Sequence, residues 1–207
     1  MKMNRRPPAA APRVAELFRL LHQRNRTPGA RRRIDAEIQR RFRRTRAVLV
    51  LDMAGFSVSV QRHGIIHHLG LICHMRRRVR QQVNATGGWS LKFEVDNALA
   101  VFRTVPAALR AALAINRSFA DDNQSAAEEN RIHASMGIGY GPVLLACDDV
   151  FGDEVNLASK LGEDIAKSDE VLLTASAHRR VGTRAGQFES LDISISGIHL
   201  GAFRLKA

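Results

Sequence analysis

The sequence predicts an α/β (α+β) fold in which helices flank a mixed β-sheet, preceded by a basic helical arm. The run AVLVLD (residues 47–52) is apolar throughout and of strand length, as expected for a strand covered on both faces. Patterns for strand, helix, two strands, helix and strand follow one another, which is typical of a sheet with helices packed on it. Residues 1–46 hold 15 Lys and Arg against 3 Asp and Glu, which accounts for the whole net charge of +12. We therefore place the arm at residues 1–45 and the domain at residues 46–207.

Two short helices are predicted in the arm, after a tail rich in Pro, Ala and Arg (residues 1–12) that we expect to be disordered. Apolar residues of the first helix recur at helical spacing at Val14, Leu17, Phe18 and Leu21. The second helix carries a stripe of Ile34, Ile38 and Phe42, each four residues from the next. Because this stripe is too narrow for a core of its own, we expect it to dock on the domain or on a partner.

The first half of the domain contains a long helix, a hairpin and a second helix. The long helix is amphipathic and is closed by NATGG at residues 84–88; its apolar positions are Ile65, Ile66, Leu69, Ile72, Val79 and Val83. A β-hairpin is predicted at about residues 89–102. The second helix opens at Pro106, and its predicted buried residues are Leu109, Leu113 and Phe119.

The second half begins with a polar loop at residues 121–130. The following stretch, IHASMGIGYGPVLLACDD, is predicted as two strands joined through Gly139–Gly141. A helix then starts at Asp153. The remaining predicted elements are a strand at 170–174, a short helix near 175–181 and closing strands at 187–194 and 197–205.

Composition favours a reduced compartment. The chain has two cysteines, Cys73 and Cys147, and their spacing matches neither a disulfide framework nor a metal site. No apolar run approaches the ~20 residues of a membrane-spanning helix. The arginine-rich N-terminus lacks the apolar region of a secretory signal. We therefore expect a cytoplasmic protein.

Two aspartates are predicted to meet at one edge of the sheet. Asp52 ends the first strand, and Asp96 lies at the turn of the hairpin expected beside it. Asp52 alone is better explained as a helix cap, but two neighbouring carboxylates need a divalent ion or shifted pKa values. In the turn after Asp52, a flexible glycine would let backbone N–H groups approach phosphate oxygens. The candidate phosphate-binding residues are Gly55, Phe56 and Ser57.

Three stretches make the sequence recognisable: VLDMAGFS (50–57), GGWSLKFEVDNALAVF (87–102) and DDVFGDEVNLASKLGEDIA (148–166). In this order and spacing they resemble the catalytic domain of class III nucleotidyl (adenylate/guanylate) cyclases, over roughly residues 45–205. The resemblance implies a ferredoxin-like βαββαβ core. It also implies a homodimer that converts ATP to 3′,5′-cyclic AMP and pyrophosphate, with two divalent ions, Mg²⁺ or Mn²⁺, at each site.

Residue by residue, the resemblance implies a metal site and a base site. Asp52 and Asp96 match the two metal-binding aspartates, with Met53 at the same site. Lys92 matches the lysine that reads the base, and Asp149 matches its acidic partner. A lysine donor and an aspartate acceptor complement N1 and N6 of adenine, whereas guanine would place a donor and an acceptor against the wrong partners.

The remaining matches concern the ribose and the transition state. Asn156 matches the asparagine that orients the ribose, and Lys160 stands where the family usually has an arginine that stabilises the transition state. In the family the metal acids come from one chain and the base, ribose and transition-state residues from the other. This sequence also has Val95 where a glycine usually precedes the second metal aspartate.

Two alternatives stay open at the level of sequence. Lys160 and Val95 allow a nucleotide-binding regulatory module of the same fold with little or no turnover. The exposed edge of cytosine also offers an acceptor and a donor, so a cyclase acting on CTP, UTP or GTP is the other alternative. Strand alternation places Glu94 on the same side as Lys92 and Asp96. It is therefore either a third acidic contributor or a salt-bridge partner of Lys92, and we favour the salt bridge.

Other charged residues are given structural interpretations. For the arm we rank support of a dimer first and contact with nucleic acid or an anionic membrane second, because no aromatic residues alternate with its arginines. His63, His67, His68 and His74 are interpreted as an exposed helix face rather than a metal site. The run Arg76–Arg78 is interpreted as a solvated helix face or a contact at the edge of a dimer.

Overall fold

A mixed sheet of eight strands forms the centre of the computed structural model, which describes residues 13–54, 61–182, 187–195 and 198–206. The strand order is β2-β3-β1-β4-β6-β8-β7, and the short β5 pairs with β4. The β4–β6 pair is parallel and the other pairs are antiparallel. The strands are β1 (Arg43–Met53), β2 (Trp89–Glu94), β3 (Asn97–Phe102), β4 (Ala134–Leu145), β5 (Val150–Phe151), β6 (Val171–Thr174), β7 (Phe188–Ile195) and β8 (Ile198–Leu205).

Six α-helices whose ends are both described accompany this sheet, and residues 61–63 are also helical. They are α1 (Val14–Arg26), α2 (Arg31–Phe42), α3 (Ile65–Ala85), α4 (Val105–Asn123), α5 (Asp153–Ser159) and α6 (Ala175–His178). Short 3₁₀ turns span Pro28–Ala30 and Glu128–Asn130, and a π-helical turn spans Lys160–Ile165. The start of α4 follows from its sequence: the hydroxyl of Thr104 accepts the N–H of Ala107, and Pro106 lies in the first turn.

The central strand is covered on both faces, as its apolar sequence predicts. Leu49 and Leu51 belong to the main core, which includes residues of α3 and α4. Val48 and Val50 point the other way and pack with Val155 of α5. This alternation confirms a mixed sheet flanked by helices.

The buried face of α3 differs from the predicted one. His68, Ile72, Met75, Val79 and Val83 are the buried residues, at intervals of three or four. By contrast, the predicted core positions Ile65, Ile66 and Leu69 are 53%, 85% and 49% exposed. Ile66 and Leu69 lie off the buried stripe, and Ile65 is the first residue of the helix. The interpretation of His68 as exposed is likewise wrong, because it lies on that stripe.

A similar correction applies to α4. Leu113 was predicted to be buried and is 40% exposed. The small side chains of Ala108, Ala111 and Ala112 occupy the buried face instead, and this rotates Leu113 outward.

The predicted break at Gly139–Gly141 is also wrong, since β4 runs without interruption from Ala134 to Leu145. The glycines serve close packing rather than a turn. A Cβ atom on Gly139 would lie 2.3 Å from the backbone oxygen of Glu154, and one on Gly141 would lie 2.8 Å from its Cγ. Only glycine lets α5 approach the sheet this closely.

The arm packs on its own domain. Leu17 and Leu20 of α1 and the stripe of Ile34, Ile38 and Phe42 on α2 form one buried cluster, which also includes Ala146 beyond β4. Ion pairs of Arg24 with Asp35 and of Arg41 with Glu16 join the two helices. The expected disordered tail, residues 1–12, lies outside the described residues. Among the described helices, none combines the length and apolar character needed to cross a bilayer.

Candidate active site

The two predicted metal acids meet at one edge of the sheet. Asp52 at the end of β1 pairs in register with Asn97, the first residue of β3. Asp96 precedes that residue, and its carbonyl accepts the N–H of Met53 at 3.3 Å. The Met53 side chain is buried in the core, so only its backbone is available at this edge.

The surroundings of the Asp52 carboxyl disfavour its ionised form. Burial, followed by the negative charges of Asp96 and Glu163, raises its pKa to about 6. The N–H of Met53 has the opposite effect on this pKa but does not offset the other contributions. The edge therefore concentrates the negative charges of Asp52, Asp96 and Glu163, which is a favourable setting for a divalent ion.

The predicted base-reading pair is formed within one chain. Nζ of Lys92 on β2 lies 3.5 Å from Oδ2 of Asp149 and 2.6 Å from Oε1 of Glu94. The hydrogen bond to Glu94 is the main cause that raises the pKa of Lys92, and the charge of Asp149 adds to it. The predicted pairing of Lys92 with Glu94 is therefore confirmed.

A short turn fixes the position of Asp149. Oδ1 of Asp149 accepts the N–H of Val150 at 2.8 Å, and its carbonyl accepts the N–H of Ala146 at 2.8 Å. Asp149 is thus held between β4 and β5 with its second carboxylate oxygen turned toward Lys92.

These side chains line one pocket of about 170 Å³. Its polar lining comprises Lys92, Glu94, Asn97, Asp149, Ser159 and Glu163. This volume is below the ~300–1,000 Å³ that is usual for ligand sites.

Sequence reasoning missed Glu163, which is close both to the pair of Lys92 and Asp149 and to the metal acids. It lines the pocket with Lys92 and Asp149, and its charge also acts on Asp52. Although much of the residue is exposed, burial of its carboxyl is the first cause that raises its pKa, followed by Asp164 and Asp96. The π-helical turn has one residue more per turn than an α-helix. A regular α-helical pattern continued from α5 therefore does not predict that Glu163 faces the pocket. Its only sequence signal was its place in the third family-like stretch.

Asn156 and Lys160 lie on the exposed side of α5 and at the start of the π-helical turn. Nζ of Lys160 lies 3.6 Å from Oδ2 of Asp164. Within the described residues, no hydrogen bond or ion pair joins either side chain to Asp52 or Asp96.

The helix that carries Asn156 is anchored by Glu154, a second residue that sequence reasoning missed. Its Oε2 accepts the N–H of Tyr140 at 3.0 Å and the hydroxyl of Thr174 at 2.8 Å. Its Oε1 accepts the hydroxyl of Ser176. These bonds tie α5 to β4 and β6.

Two further predictions concern phosphates and histidines. Gly55, Phe56 and Ser57, the predicted phosphate-binding residues, lie outside the described residues. In the ranges that the structure describes, no three His, Cys, Asp or Glu side chains form a group that could hold a metal ion. A cation at Asp52 and Asp96 would therefore need ligands beyond the described side chains, such as phosphate oxygens.

The family model for the adenylate and guanylate cyclase catalytic domain matches residues 42–200. The chain belongs to this family. The match spans the central strand, the hairpin with Lys92 and Asp96, and the helix with Asn156, so all the described candidate residues lie within the cyclase domain.

Individual relatives agree with this assignment. The cyclase domain is 27% identical over 157 residues to "Putative adenylate cyclase 3" of Rhizobium meliloti (strain 1021). That match covers 76% of this chain but only 26% of the relative, so the chain spans about a quarter of the relative's length.

Solved structures show the same fold. The adenylate/guanylate cyclase/hydrolase of Silicibacter pomeroyi is 28% identical, with a TM-score of 0.70 over 79% of this chain and 96% of that chain. The adenylyl cyclase CyaB of P. aeruginosa is 17% identical, with a TM-score of 0.69 over 80% and 95% of the two chains. The second likeness concerns the fold alone.

Proposed function

We propose that this cyclase domain is an adenylate cyclase that acts as a homodimer and converts ATP to 3′,5′-cyclic AMP and pyrophosphate. The observation that carries the proposal is the contact of Lys92 with Asp149 in the pocket. Lys92 can donate to N1 of adenine, while Asp149 can accept from the N6 amino group. Guanine would present a donor to Lys92 and an acceptor to Asp149, which would leave buried polar groups unpaired.

The donor set at the sheet edge fits divalent ions bound together with a nucleotide. Asp52 and Asp96 supply two carboxylates, and Mg²⁺ or Mn²⁺ commonly uses one or two carboxylates plus substrate phosphates. Such ions, when bound, supply charge neutralisation for the polyphosphate and lower the pKa of the 3′-hydroxyl.

The reaction itself is an intramolecular displacement. The ribose 3′-hydroxyl loses its proton to water, and its oxygen attacks the α-phosphorus. The new ester bond closes the ring, and the bond between the α-phosphorus and the pyrophosphate leaving group breaks. Asn156 orients the ribose so that the 3′-oxygen faces the phosphorus. Lys160 stabilises the negative charge that builds up on the phosphate oxygens.

Three features support a dimer with shared sites. The pocket of one chain is smaller than a usual ligand site. Among the described residues, no hydrogen bond or ion pair joins Asn156 or Lys160 to the metal acids of their own chain. The exposed apolar residues at the start of α3, Ile65, Ile66 and Leu69, also suit a protein contact.

The decisive test is to incubate the purified chain with ATP, GTP, CTP and UTP, each with Mg²⁺ or Mn²⁺, at several protein concentrations. We expect cyclic AMP as the main product, with specific activity that falls on dilution as dimers dissociate. Asp52→Ala is the matched inactive control. CTP converted as well as ATP would overturn the choice of substrate, and no cyclic product from any nucleotide would overturn the proposed reaction.

A second candidate, a nucleotide-binding module with little turnover, is favoured by two observations. Val95, next to Asp96, has a φ of 46°, and Lys160 pairs with Asp164. Calorimetry beside product analysis separates the two functions. Tight ATP binding without cyclic product supports the module, whereas binding with turnover supports the enzyme.

A further inference from the structure

The turn that carries Asp96 contains a residue in an unfavourable backbone conformation. Val95 has a φ of 46° and is 55% exposed. Left-handed backbone is rare for β-branched residues, because their side chain clashes with the backbone there. Glycine would adopt this φ without cost. Some other contact must therefore hold the turn in place.

Arg76 of α3 makes that contact. Its Nη2 donates to the carbonyl oxygen of Val95 at 3.1 Å. The same guanidinium lies 5.7 Å from the ring centroid of Phe93, and the guanidinium of Arg80 lies 4.7 Å from it. Arg76 is thus braced against the strand that leads into the turn.

The peptide units on both sides of Asp96 are then fixed. The carbonyl of Val95 is held by Arg76, and the carbonyl of Asp96 itself accepts the N–H of Met53 at 3.3 Å. The Asp96 Cα lies between these two peptide units, so the base of its side chain is held beside the end of β1, where Asp52 lies.

The other two arginines of the run, Arg77 and Arg78, contact other residues. Nη2 of Arg77 contacts Nδ1 of His74 at 3.0 Å, and Arg78 forms a two-point ion pair with Asp122. Only the first arginine of the run reaches the turn. Arg77, which is exposed, therefore provides a matched control one residue away.

We propose that Arg76 is a positioning residue: it holds Val95 in its left-handed conformation and so directs the Asp96 carboxylate toward the divalent cation. The inference rests on the proposed function only in taking Asp96 as a metal ligand. In this chain the arginine takes over the role that a glycine at position 95 would otherwise fill by its conformational freedom.

The test is a double-mutant cycle of Arg76→Ala and Val95→Gly, with Arg76→Lys and Arg77→Ala alongside. For each protein we would measure the Mn²⁺ concentration giving half-maximal activity, KM and kcat for ATP, Mn²⁺ binding by calorimetry, and the thermal midpoint in chelator. We expect Arg76→Ala to raise the Mn²⁺ requirement and weaken Mn²⁺ binding by roughly fivefold, since a charged hydrogen bond is lost. KM for ATP at saturating Mn²⁺ should change less than twofold.

The cycle distinguishes positioning from a general structural role. With glycine at position 95 the turn needs no support, so Arg76→Ala in the Val95→Gly background should change Mn²⁺ binding less than twofold. Arg76→Lys should be intermediate because it keeps a donor, and Arg77→Ala should match the unchanged protein. An equally large effect of Arg76→Ala in both backgrounds, or none in either, would overturn the proposal.

Two other outcomes remain informative. If Arg76→Ala does not fold, Arg76→Lys together with Val95→Gly decides, since glycine should restore the Mn²⁺ binding that lysine loses. If the unchanged protein forms no cyclic nucleotide and binds no Mn²⁺, the metal role of Asp96 fails. The thermal midpoints of the four proteins in the cycle would then decide whether Arg76 supports Val95. Non-additive changes in the midpoint would support this contact, and additive changes would count against it.

Discussion

Nζ of Lys92 lies 3.5 Å from Oδ2 of Asp149, and both residues belong to the same chain. The contact joins β2, near one edge of the sheet, to the turn after β4, across β3 and β1. A donor and an acceptor are therefore already adjacent before a nucleotide or a second chain arrives. Under the proposed function the pair that reads the base lies within one protomer, so substitutions there should change the choice of base and leave the rest of the site alone.

The first prediction is that Asp149→Asn relaxes the choice of base. The amide keeps the shape and one acceptor but can also donate to O6 of guanine, which aspartate repels. We expect the preference for ATP over GTP, as the ratio of kcat/KM values, to fall about tenfold, which corresponds to one hydrogen bond to a charged group.

Asp148→Asn is the control for this experiment. Asp148 is the neighbouring acid on the same turn, but its Oδ1 accepts the N–H of Val14 at 2.9 Å and not a bond from Lys92. The ratio should not change in this variant. An unaltered ratio in Asp149→Asn itself would show that the pair does not read the base.

The second prediction is that Lys160→Arg raises kcat severalfold with little change in KM. A guanidinium can bind two phosphate oxygens at once, whereas an ammonium group acts as a point charge. Lys160 is exposed and its partner Asp164 is 3.6 Å away, so the larger head group meets no buried obstacle. Steady-state kinetics with ATP measure the effect, and Lys167→Arg, an exposed lysine outside the pocket, is the control. An unchanged or lower kcat in Lys160→Arg would show that the lysine is not the cause of any weak turnover.

The third prediction concerns shared sites. Asp52→Ala and Asn156→Ala should each lose most activity, by factors of ~10²–10³. Mixing them should rebuild one intact site in each mixed dimer. Random pairing makes about half of the dimers mixed, each with one good site of two, so about a quarter of the original activity should return.

This mixing experiment depends on subunit exchange, which differently tagged chains can verify by co-purification. A mixture no more active than its parents, once exchange is verified, would show that each site lies within one chain. Mixing two metal-acid variants, Asp52→Ala and Asp96→Ala, is the matched control, because every dimer then has both sites damaged.

The fourth prediction is a pH dependence of stability in the metal-free protein. The pKa of Asp52 is raised to about 6, above its value of ~3.9 in an unfolded chain. Between these two values the folded state binds a proton that the unfolded state has released, so this group lowers the free energy of unfolding as the pH rises from about 4 to about 6. Asp52→Asn should therefore stabilise the protein at pH 7.5 by about 1–2 kcal/mol after allowance for solvent screening, and by less toward pH 4.

Urea unfolding in excess chelator at several pH values measures this difference. Glu128→Gln, at an exposed acid outside the candidate site, should leave the pH curve unchanged. A gain in Asp52→Asn that is the same at pH 4 and pH 7.5 would contradict the predicted titration.

Local patterns in the sequence were sufficient for most strands of the sheet and for two of the contacts near the candidate site. The apolar run of β1 fixed a strand buried on both faces, and the hairpin after it determined that Asp52 and Asp96 meet. Strand alternation also predicted the pairing of Lys92 with Glu94. Each of these relationships depends on neighbours in one strand or on two adjacent strands.

The features that could not be predicted depend on contacts distant in sequence or on irregular backbone. Gly139 and Gly141 resemble a turn until α5 is placed against them. The π-helical turn shifts Glu163 out of the regular helical phase. Arg76 appeared to be one member of a solvated run because its contact, the carbonyl of Val95, carries no side-chain signal.

The close approach of α5 to β4 has a consequence for which substitutions the protein can tolerate. A Cβ atom on Gly137 would lie 2.0 Å from the backbone oxygen of Ala158, so even alanine there would push away the helix that carries Asn156. The same holds for Gly139, where a Cβ atom would lie 2.3 Å from the backbone oxygen of Glu154. At Gly141 a Cβ atom would instead displace the Glu154 side chain that ties α5 to the sheet. A library of single substitutions selected for cyclic nucleotide synthesis should therefore lose variants at these glycines as completely as at the aspartates, although the glycines take part in no chemistry. A map of tolerated residues would then trace the packing of this helix as clearly as it traces the catalytic site.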